Sequence, residues 1–165
     1  MRSSLAVAVI VLSALCSVTL ERNAVYRDQI LLFSDTVDKS PNKARPLNNF
    51  GDALMKADRH LEAGVYFERA LAIVPDYPDA LNNLATVYNK SSRRSEALEL
   101  LLRTIELMPD HVQARNNLAI TYYESGLLPE AEAQFKLVIE LAPGAREATF
   151  ARAMLALPKS AGGFH

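Results

Sequence analysis

The side chains with the clearest chemical capacity in this sequence belong to three pairs of adjacent asparagines. The pairs recur every 34 residues, as Asn48–Asn49, Asn82–Asn83 and Asn116–Asn117. An asparagine amide both donates and accepts hydrogen bonds, so amides repeated at a fixed spacing suit the backbone of an extended peptide. The same amides could instead join neighbouring helices to each other. The pattern therefore predicts either a peptide-binding surface or a hydrogen-bonded scaffold.

Residues for catalysis or metal binding do not converge in this sequence. The histidines, His60, His111 and His165, have no His, Cys or carboxylate partner at metal-ligand spacing, and we interpret them as surface residues. Cys16 is the only cysteine, so an intrachain disulfide is excluded. The glycines are too sparse for a phosphate-binding loop. We therefore predict a protein that is not an enzyme and that has no cofactor or metal.

The composition limits the class of protein and partner. The 165 residues suffice for one domain, or for a small domain with an anchor, and the 50% that are apolar are enough for a core. The formal net charge of −1 provides no basic surface for nucleic acid. We therefore expect a protein or peptide partner, whose identity the composition does not define.

Four prolines divide the chain at equal intervals of 34 residues, at Pro41, Pro75, Pro109 and Pro143. A fixed period of this length is typical of a helical repeat array. The period defines three full units, at residues 44–77, 78–111 and 112–145. Three flanking segments remain, namely a half-repeat helix at 21–41, a capping helix at 146–158 and a flexible tail at 159–165.

Residue types recur at fixed positions within each unit. Small residues occupy two positions and bulky apolar residues a third; they are Gly51, Ala85 and Ala119, then Ala63, Ala97 and Ala131, then Phe67, Leu101 and Phe135. Small side chains let two helices approach closely, and bulky ones fill the space between helix pairs. The pattern resembles the tetratricopeptide repeat (TPR) family. The resemblance implies an all-α, right-handed TPR superhelix of three full repeats plus flanking helices.

The helix ends are predicted from the same period. Asn42, Asp76 and Asp110 are N-cap candidates for the first helix of each unit, because their side chains can accept hydrogen bonds from free backbone amides. The turns between the two helices of a unit are predicted at Ala57–Asp58, Ser91–Ser92 and Ser125–Gly126.

In the TPR family the first helix of each pair, helix A, lines the concave face of the array. The resemblance therefore implies a peptide-binding groove. Its predicted residues are Arg45, Asn48, Asn49, Asp52, Asp79, Asn82, Asn83, Thr86, Asn116, Asn117, Ile120 and Tyr123. The carboxylate clamp of chaperone-binding TPR proteins maps onto Asn48, Asp52, Asn83, Gln113 and Asn117, and only Asn83 agrees with it. Because Asp52 would repel a carboxylate, we do not expect binding of chaperone C-termini.

Residues 3–20 are uncharged and have two interpretations. As a transmembrane helix they would be roughly 27 Å long, just enough for a hydrocarbon core of about 30 Å. As a cleaved signal peptide they would need small residues at the cut, and Ala14-Leu15-Cys16 before Ser17 is a weak site. A lipoprotein cut before Cys16 is poorer still, because Leu15 lies where a small residue is needed. We favour an uncleaved membrane anchor in residues 1–20, so that an N-terminal apolar membrane helix precedes the repeats.

The charges that flank this segment bear on its orientation. Arg2 and the terminal amine favour a cytoplasmic N-terminus, whereas Arg22 and Arg27 on the other side oppose it. We expect the repeat domain to be extracytoplasmic, and periplasmic if the protein is bacterial. If the N-terminus were cleaved, the domain would be secreted or periplasmic.

A second resemblance covers residues 22–51. The residues that carry it are Arg22-Asn23, Tyr26, Asp28, Leu32-Phe33, Asp35, Lys39-Ser40-Pro41, Ala44-Arg45 and Asn49-Phe50-Gly51. Their order resembles the junction between the last membrane helix and the TPRs of polytopic O-mannosyltransferase-like membrane proteins, with Tyr26 and Phe33 where that family often has tryptophan. The resemblance implies an anchor, but no catalysis, because the membrane domain of such enzymes is missing from this sequence.

Together these features predict a membrane-tethered TPR scaffold that binds a protein or peptide through its helix A groove. The alternative is an accessory TPR module of a glycan-transfer or cell-envelope assembly complex. Self-association by end-to-end stacking of arrays is a further expectation.

Overall fold

A computed structural model of the protein describes residues 27–156. Within this range the fold is all-α, without a strand. Residues 27–39 are helical and are labelled α1. Seven helices follow: α2 (Ala44–Lys56), α3 (His60–Ile73), α4 (Pro78–Lys90), α5 (Arg94–Leu107), α6 (Val112–Glu124), α7 (Leu128–Leu141) and α8 (Arg146–Leu155).

The helices pack in pairs, and the pairs stack. Helix α2 packs on α3, α4 on α5 and α6 on α7, which gives one pair for each 34-residue unit. We call the first helix of a pair helix A and the second helix B. By register along the sequence, α1 is a helix B and α8 is a helix A. Within residues 27–156 the array therefore contains three complete pairs, with α1 before them and α8 after them.

The stack curves toward its helices A. Helix α2 contacts α4, α4 contacts α6, and α6 contacts α8, whereas among α2–α8 the helices B make no contact with one another. The helices A thus lie close together, and the helices B on the other side are spread apart. A stack with this arrangement is curved. The helices A therefore line the concave face.

The core follows the residue types that recur in each unit. Phe67, Leu101 and Phe135 are buried, as are the alanines Ala63, Ala97 and Ala131 and the small residues Gly51, Ala85 and Ala119. A Cβ atom added to Gly51 would lie 2.5 Å from Cε1 of Phe67, closer than any side-chain contact. Helix A can thus approach helix B in the first unit because residue 51 has no side chain.

The turn between helix A and helix B has the same geometry in every unit. Its central residue lies in the left-handed region, with φ of 64° at Asp58, 60° at Ser92 and 77° at Gly126. In the first unit the Arg59 amide donates to the Leu54 carbonyl at 2.9 Å and the Asp58 amide donates to the Met55 carbonyl at 3.1 Å. These two bonds are the Schellman pattern, which satisfies the last carbonyls of a helix. The positions predicted for these turns are confirmed.

The predicted N-caps are wrong by one residue. The N-cap residues of α2, α4 and α6 are Lys43, Tyr77 and His111, and only His111 caps through its side chain. The carboxylate of Asp76 instead accepts a hydrogen bond from Nε of Arg103 at 2.9 Å. Helices α2, α4 and α6 thus all begin one residue later than predicted, whether or not the predicted cap has an arginine partner.

The segments predicted at the two termini are only partly described. Helix α8 ends at Leu155 with Ala156 as its C-cap, and residues 157–165 lie outside the described residues. The predicted membrane segment 1–20, with residues 21–26, also lies outside them. Between residues 27 and 156, no helix has the length and apolarity needed to cross a membrane.

Candidate peptide-binding groove

The predicted groove residues lie on α2, α4 and α6, the helices of the concave face. They differ in their exposure to solvent. Asn48 and Asn82 are buried, with only 6% and 5% of their surfaces exposed. Asn83, Asn116 and Asn117 are half-buried. The amides are therefore divided between the interior of the array and its concave surface.

The asparagines join successive helices A in one direction. Nδ2 of Asn83 in α4 donates to Oδ1 of Asn48 in α2 at 3.1 Å. One unit further, Nδ2 of Asn117 in α6 donates to Oδ1 of Asn82 in α4 at 2.9 Å. We call these four residues the asparagine ladder. Buried amides are normally hydrogen-bonded, and in each of these two pairs one asparagine supplies the donor and the other the acceptor.

Two threonines extend the ladder. Nδ2 of Asn117 also lies 3.2 Å from Oγ1 of Thr86, which donates to the Asn82 carbonyl at 3.0 Å. Nδ2 of Asn89 donates to Oγ1 of the buried Thr121 at 2.7 Å, a second link between α4 and α6. Asn89 does not belong to the repeated asparagine pairs and is not predicted by them, although it lies seven residues after Asn82 and so shares a face of α4 with it.

The ladder ends at α8. Asn116 occupies the position of Asn48 and Asn82, but its Oδ1 atom is buried without a hydrogen-bond partner among the described residues. The residue that would supply the donor, 35 positions later, is the buried alanine Ala151. The unsatisfied oxygen of Asn116 therefore has a simple cause, since an alanine side chain cannot donate.

A second repeating contact lies where one unit joins the next. Arg45 at the start of α2 interacts with the hydroxyl of Tyr77, and the equivalent Asp79 of α4 lies 3.4 Å from Nε2 of His111. Burial, and then the charge of Asp79, raise the pKa of Tyr77, and Arg45 opposes them. Nδ1 of His111 accepts from the Ala114 amide at 3.3 Å. His111 is thus a mostly buried junction residue, not the surface histidine that the sequence predicts.

The remaining predicted residues, on α2 and α6, are partly exposed. Asn49, Ile120 and Tyr123 are half-buried. Asp52 pairs with Lys56 one helical turn away, at 2.6 Å between Nζ and Oδ2. These residues combine amide, aromatic and aliphatic groups with the ion pair of Asp52 and Lys56, whose charges cancel. Such groups bind a neutral, extended chain better than a concentrated charge.

No cluster of His, Cys, Asp and Glu between residues 27 and 156 could hold a metal ion. In the same range the groups with altered pKa values are surface ion pairs and two tyrosines. Glu62 and Glu96, for example, have lowered pKa values because Arg59 and Arg93 donate hydrogen bonds to them. These pairs lie at the start of α3 and α5, away from the groove. The described chemistry of the concave face is therefore that of hydrogen bonding and packing.

Comparison with solved structures places this arrangement among known helical arrays. A crystal structure of MamA is 26% identical and covers 77% of this chain and 71% of that chain, with a TM-score of 0.63. The first TPR of Spaghetti (RPAP3), solved with the HSP90 peptide SRMEEVD, is 23% identical with a TM-score of 0.62, covering 70% of this chain and 94% of that chain. The Arabidopsis OM64 TPR domain is 17% identical with a TM-score of 0.63, covering 68% of this chain and 93% of that chain. The last two similarities show the fold alone.

Curated protein sequences give no significant match. The tetratricopeptide repeat family model matches residues 42–110 and again residues 76–144, which together cover more than half of the chain. The match begins at residue 42, so the resemblance of residues 22–51 to polytopic O-mannosyltransferase-like proteins stays a prediction. The repeats, their curvature and the family match agree, and the chain belongs to the tetratricopeptide repeat family.

Proposed function

We propose that this protein is a scaffold that binds an extended segment of a protein partner in the concave groove formed by α2, α4 and α6. The observation that carries the proposal is the asparagine ladder. It fixes the three helices A relative to one another and leaves amide, aromatic and aliphatic side chains accessible on the concave surface. A rigid surface of this kind reduces the entropy cost of binding an extended chain.

The ligand that fits best is an internal segment with free backbone groups, without a terminal carboxylate. The structure with the SRMEEVD peptide shows that a related fold accommodates a peptide ending in acidic residues. In this chain only Asn83 agrees with the clamp, and Asp52, paired with Lys56, supplies no net positive charge to hold such an end. Asn49 and Tyr123 can instead exchange hydrogen bonds with a neutral backbone.

The proposal includes a membrane tether. Residues 3–20 are uncharged and long enough to cross a bilayer core, so we assign them as the anchor. The array then lies on the extracytoplasmic side, which is the periplasm in a bacterium. Protease added to spheroplasts that carry the full chain in their membrane tests the orientation. We expect digestion of the repeats, and their protection until the membrane is lysed would overturn the extracytoplasmic assignment.

A photo-reactive amino acid at position 120 tests the groove. We expect it to cross-link to one reproducible segment of a partner, because Ile120 lies on the concave surface. The matched control carries the same reagent at position 102, where Leu102 is exposed on the helix B side. Equal cross-linking from both positions, or capture that is unchanged in Asn49→Ala/Tyr123→Ala, would show that the groove is not the binding surface.

The alternative function is an accessory module of a glycan-transfer or cell-envelope assembly complex, which the resemblance of residues 22–51 favours. Co-purification with a polytopic glycosyltransferase would distinguish it from a general scaffold. Self-association by end-to-end stacking also stays a prediction, and light scattering of the purified chain measures it directly.

A further inference from the structure

Helix α1 has an unusual distribution of apolar side chains. Ile30, Phe33 and Val37 pack into the core formed with α2 and α3. The adjacent residues Leu31 and Leu32 point elsewhere, and 62% and 64% of their surfaces are exposed. Two neighbouring leucines with this exposure form an apolar pair that no described residue covers.

The later units show what covers the position of Leu32. In α3 the residue equivalent to Leu32 is Tyr66, and Phe50 of α2 covers it with a ring 4.5 Å away. In α7 the equivalent residue is Gln134, and Arg115 of α6 covers it by donating from Nη1 to Oε1 at 3.0 Å. In both units the cover comes from helix A of the same pair. Leu32 therefore lies on the side of α1 that its own helix A would occupy.

The same register identifies that missing helix A as residues 10–22. These residues overlap the uncharged stretch 3–20, which the proposed function assigns to the bilayer. If the stretch is in the bilayer, it is not packed on α1, and Leu32 lacks the cover that a helix A gives this position in the later units. Leu31 lies at a position that is exposed even in a complete pair, as Val65 is at 53% in α3. The inference that follows therefore rests on the proposed tether.

The bilayer is the apolar phase within reach. Six residues, 21–26, connect the uncharged stretch to the described part of α1. Six residues span at most about 20 Å when fully extended. Leu31 and Leu32 follow only five and six residues into the helix, at ~1.5 Å per residue. The leucine pair is therefore held within a short distance of the membrane surface.

We propose that α1 docks on the bilayer interface, with Leu31 and Leu32 in contact with lipid. Helices with one apolar face and one polar face lie in this way at the boundary between headgroups and acyl chains. Asp35, which would disfavour an anionic surface, is paired with Lys39 at 2.6 Å. The interaction is apolar, so it needs no anionic lipid. Docking would fix the orientation of the groove relative to the membrane.

The test uses the full chain in phosphatidylcholine vesicles. In a Cys16→Ser background, a polarity-sensitive fluorophore is attached through Leu32→Cys or, as the matched control, through Leu141→Cys. Leu141 is also an exposed leucine, but it ends α7 at the far end of the array. We expect a lipid-borne quencher to reduce the fluorescence at position 32 several-fold more than at position 141, and aqueous iodide to do the reverse. Equal quenching at the two positions would overturn the proposal.

Two further measurements separate this proposal from the tether. A chain that does not float with the vesicles contradicts the tether, and the docking with it. A chain that floats while position 32 stays accessible to iodide contradicts the docking alone. When Cys16 is retained with Leu32→Cys, a disulfide between Cys16 and the introduced cysteine would show that residues 10–22 cover α1 as a helix A, and this too would overturn the docking.

Discussion

The Nδ2 atom of Asn117 donates to the Oδ1 atom of Asn82 at 2.9 Å, across 35 residues of sequence. The bond joins α6 to α4 at a site where Asn82 is almost completely shielded from water. A buried amide that loses its partner keeps the full cost of its dehydration. This pair therefore makes the stability of one repeat depend on the next.

Asn82→Ala should reduce the free energy of unfolding by about 1–3 kcal/mol, because it removes the acceptor of Asn117 inside the array. Asn116→Ala is the matched control at the same position of the next unit. Its oxygen is already unsatisfied, so its removal should change stability by less than about 0.5 kcal/mol. Urea unfolding of both variants measures the difference. Equal losses would show that the ladder contributes no stability of its own.

Gly51→Ala should destabilise the protein by about 1–3 kcal/mol, because the new Cβ would overlap the buried ring of Phe67. The second unit has Ala85 and Leu101 at the two equivalent positions. The double variant Gly51→Ala/Phe67→Leu should therefore regain part of the loss, as measured by thermal unfolding. A double variant less stable than the sum of the single changes would contradict this packing.

Ser92→Gly should stabilise the protein by about 0.5–1 kcal/mol. Ser92 has a φ of 60°, a conformation that costs about 1–2 kcal/mol for residues with a side chain. Glycine removes this cost, but part of the stability gained is lost because glycine is more flexible in the unfolded chain. Gly126→Ala, at the same position of the next unit, should have the opposite sign. Denaturant midpoints of both variants give the comparison. Changes of the same sign would contradict the proposed strain.

Stability should fall at alkaline pH as two tyrosines ionise. Burial raises the pKa of Tyr77 and of Tyr88 above the ordinary value of 10.0, with the charges of Asp79 and Glu68 as the next causes. The folded protein therefore binds these protons more tightly than the unfolded chain does. Their contribution is complete below pH 10.0 and is lost as the pH rises through the folded pKa values.

Ultraviolet absorbance of phenolate, followed together with circular dichroism, measures this titration. Tyr88→Phe should show a smaller loss of stability between neutral and alkaline pH than the natural protein. Tyr123→Phe provides a control tyrosine in the groove. An identical alkaline midpoint for the natural protein and Tyr88→Phe would exclude a contribution from Tyr88.

The period of 34 residues is sufficient to predict the helix pairs, because small residues such as Gly51 and bulky ones such as Phe67 recur in register. It also predicts the turns, since every unit needs a residue with positive φ at the same place. The helix N-caps are not predictable in this way. The repeat period does not define the residue at which a helix begins, and the bond between Asp76 and Arg103, 27 residues away, forms only in the folded array.

The groove was predictable in outline only. The sequence identifies all six asparagines of the pairs, but not which of two adjacent amides faces the interior. That choice depends on the curvature of the stack, which places Asn82 inside and leaves Asn83 half-buried. The Asn89–Thr121 bond is not predictable from the repeat, because the residues equivalent to Asn89 in the other units are Met55 and Tyr123.

The ladder has a polarity that the repeat sequence alone does not convey. In α2 and α4 the asparagine oxygen accepts a hydrogen bond from the helix A that follows, so a further step of the ladder requires a new donor. Ala151 of α8 provides none, and the oxygen of Asn116 has no partner among the described residues. The methyl side chain of Ala151 thus ends the asparagine ladder. To extend the ladder by another helix pair, a designer would first replace Ala151 with a residue that can donate to Asn116.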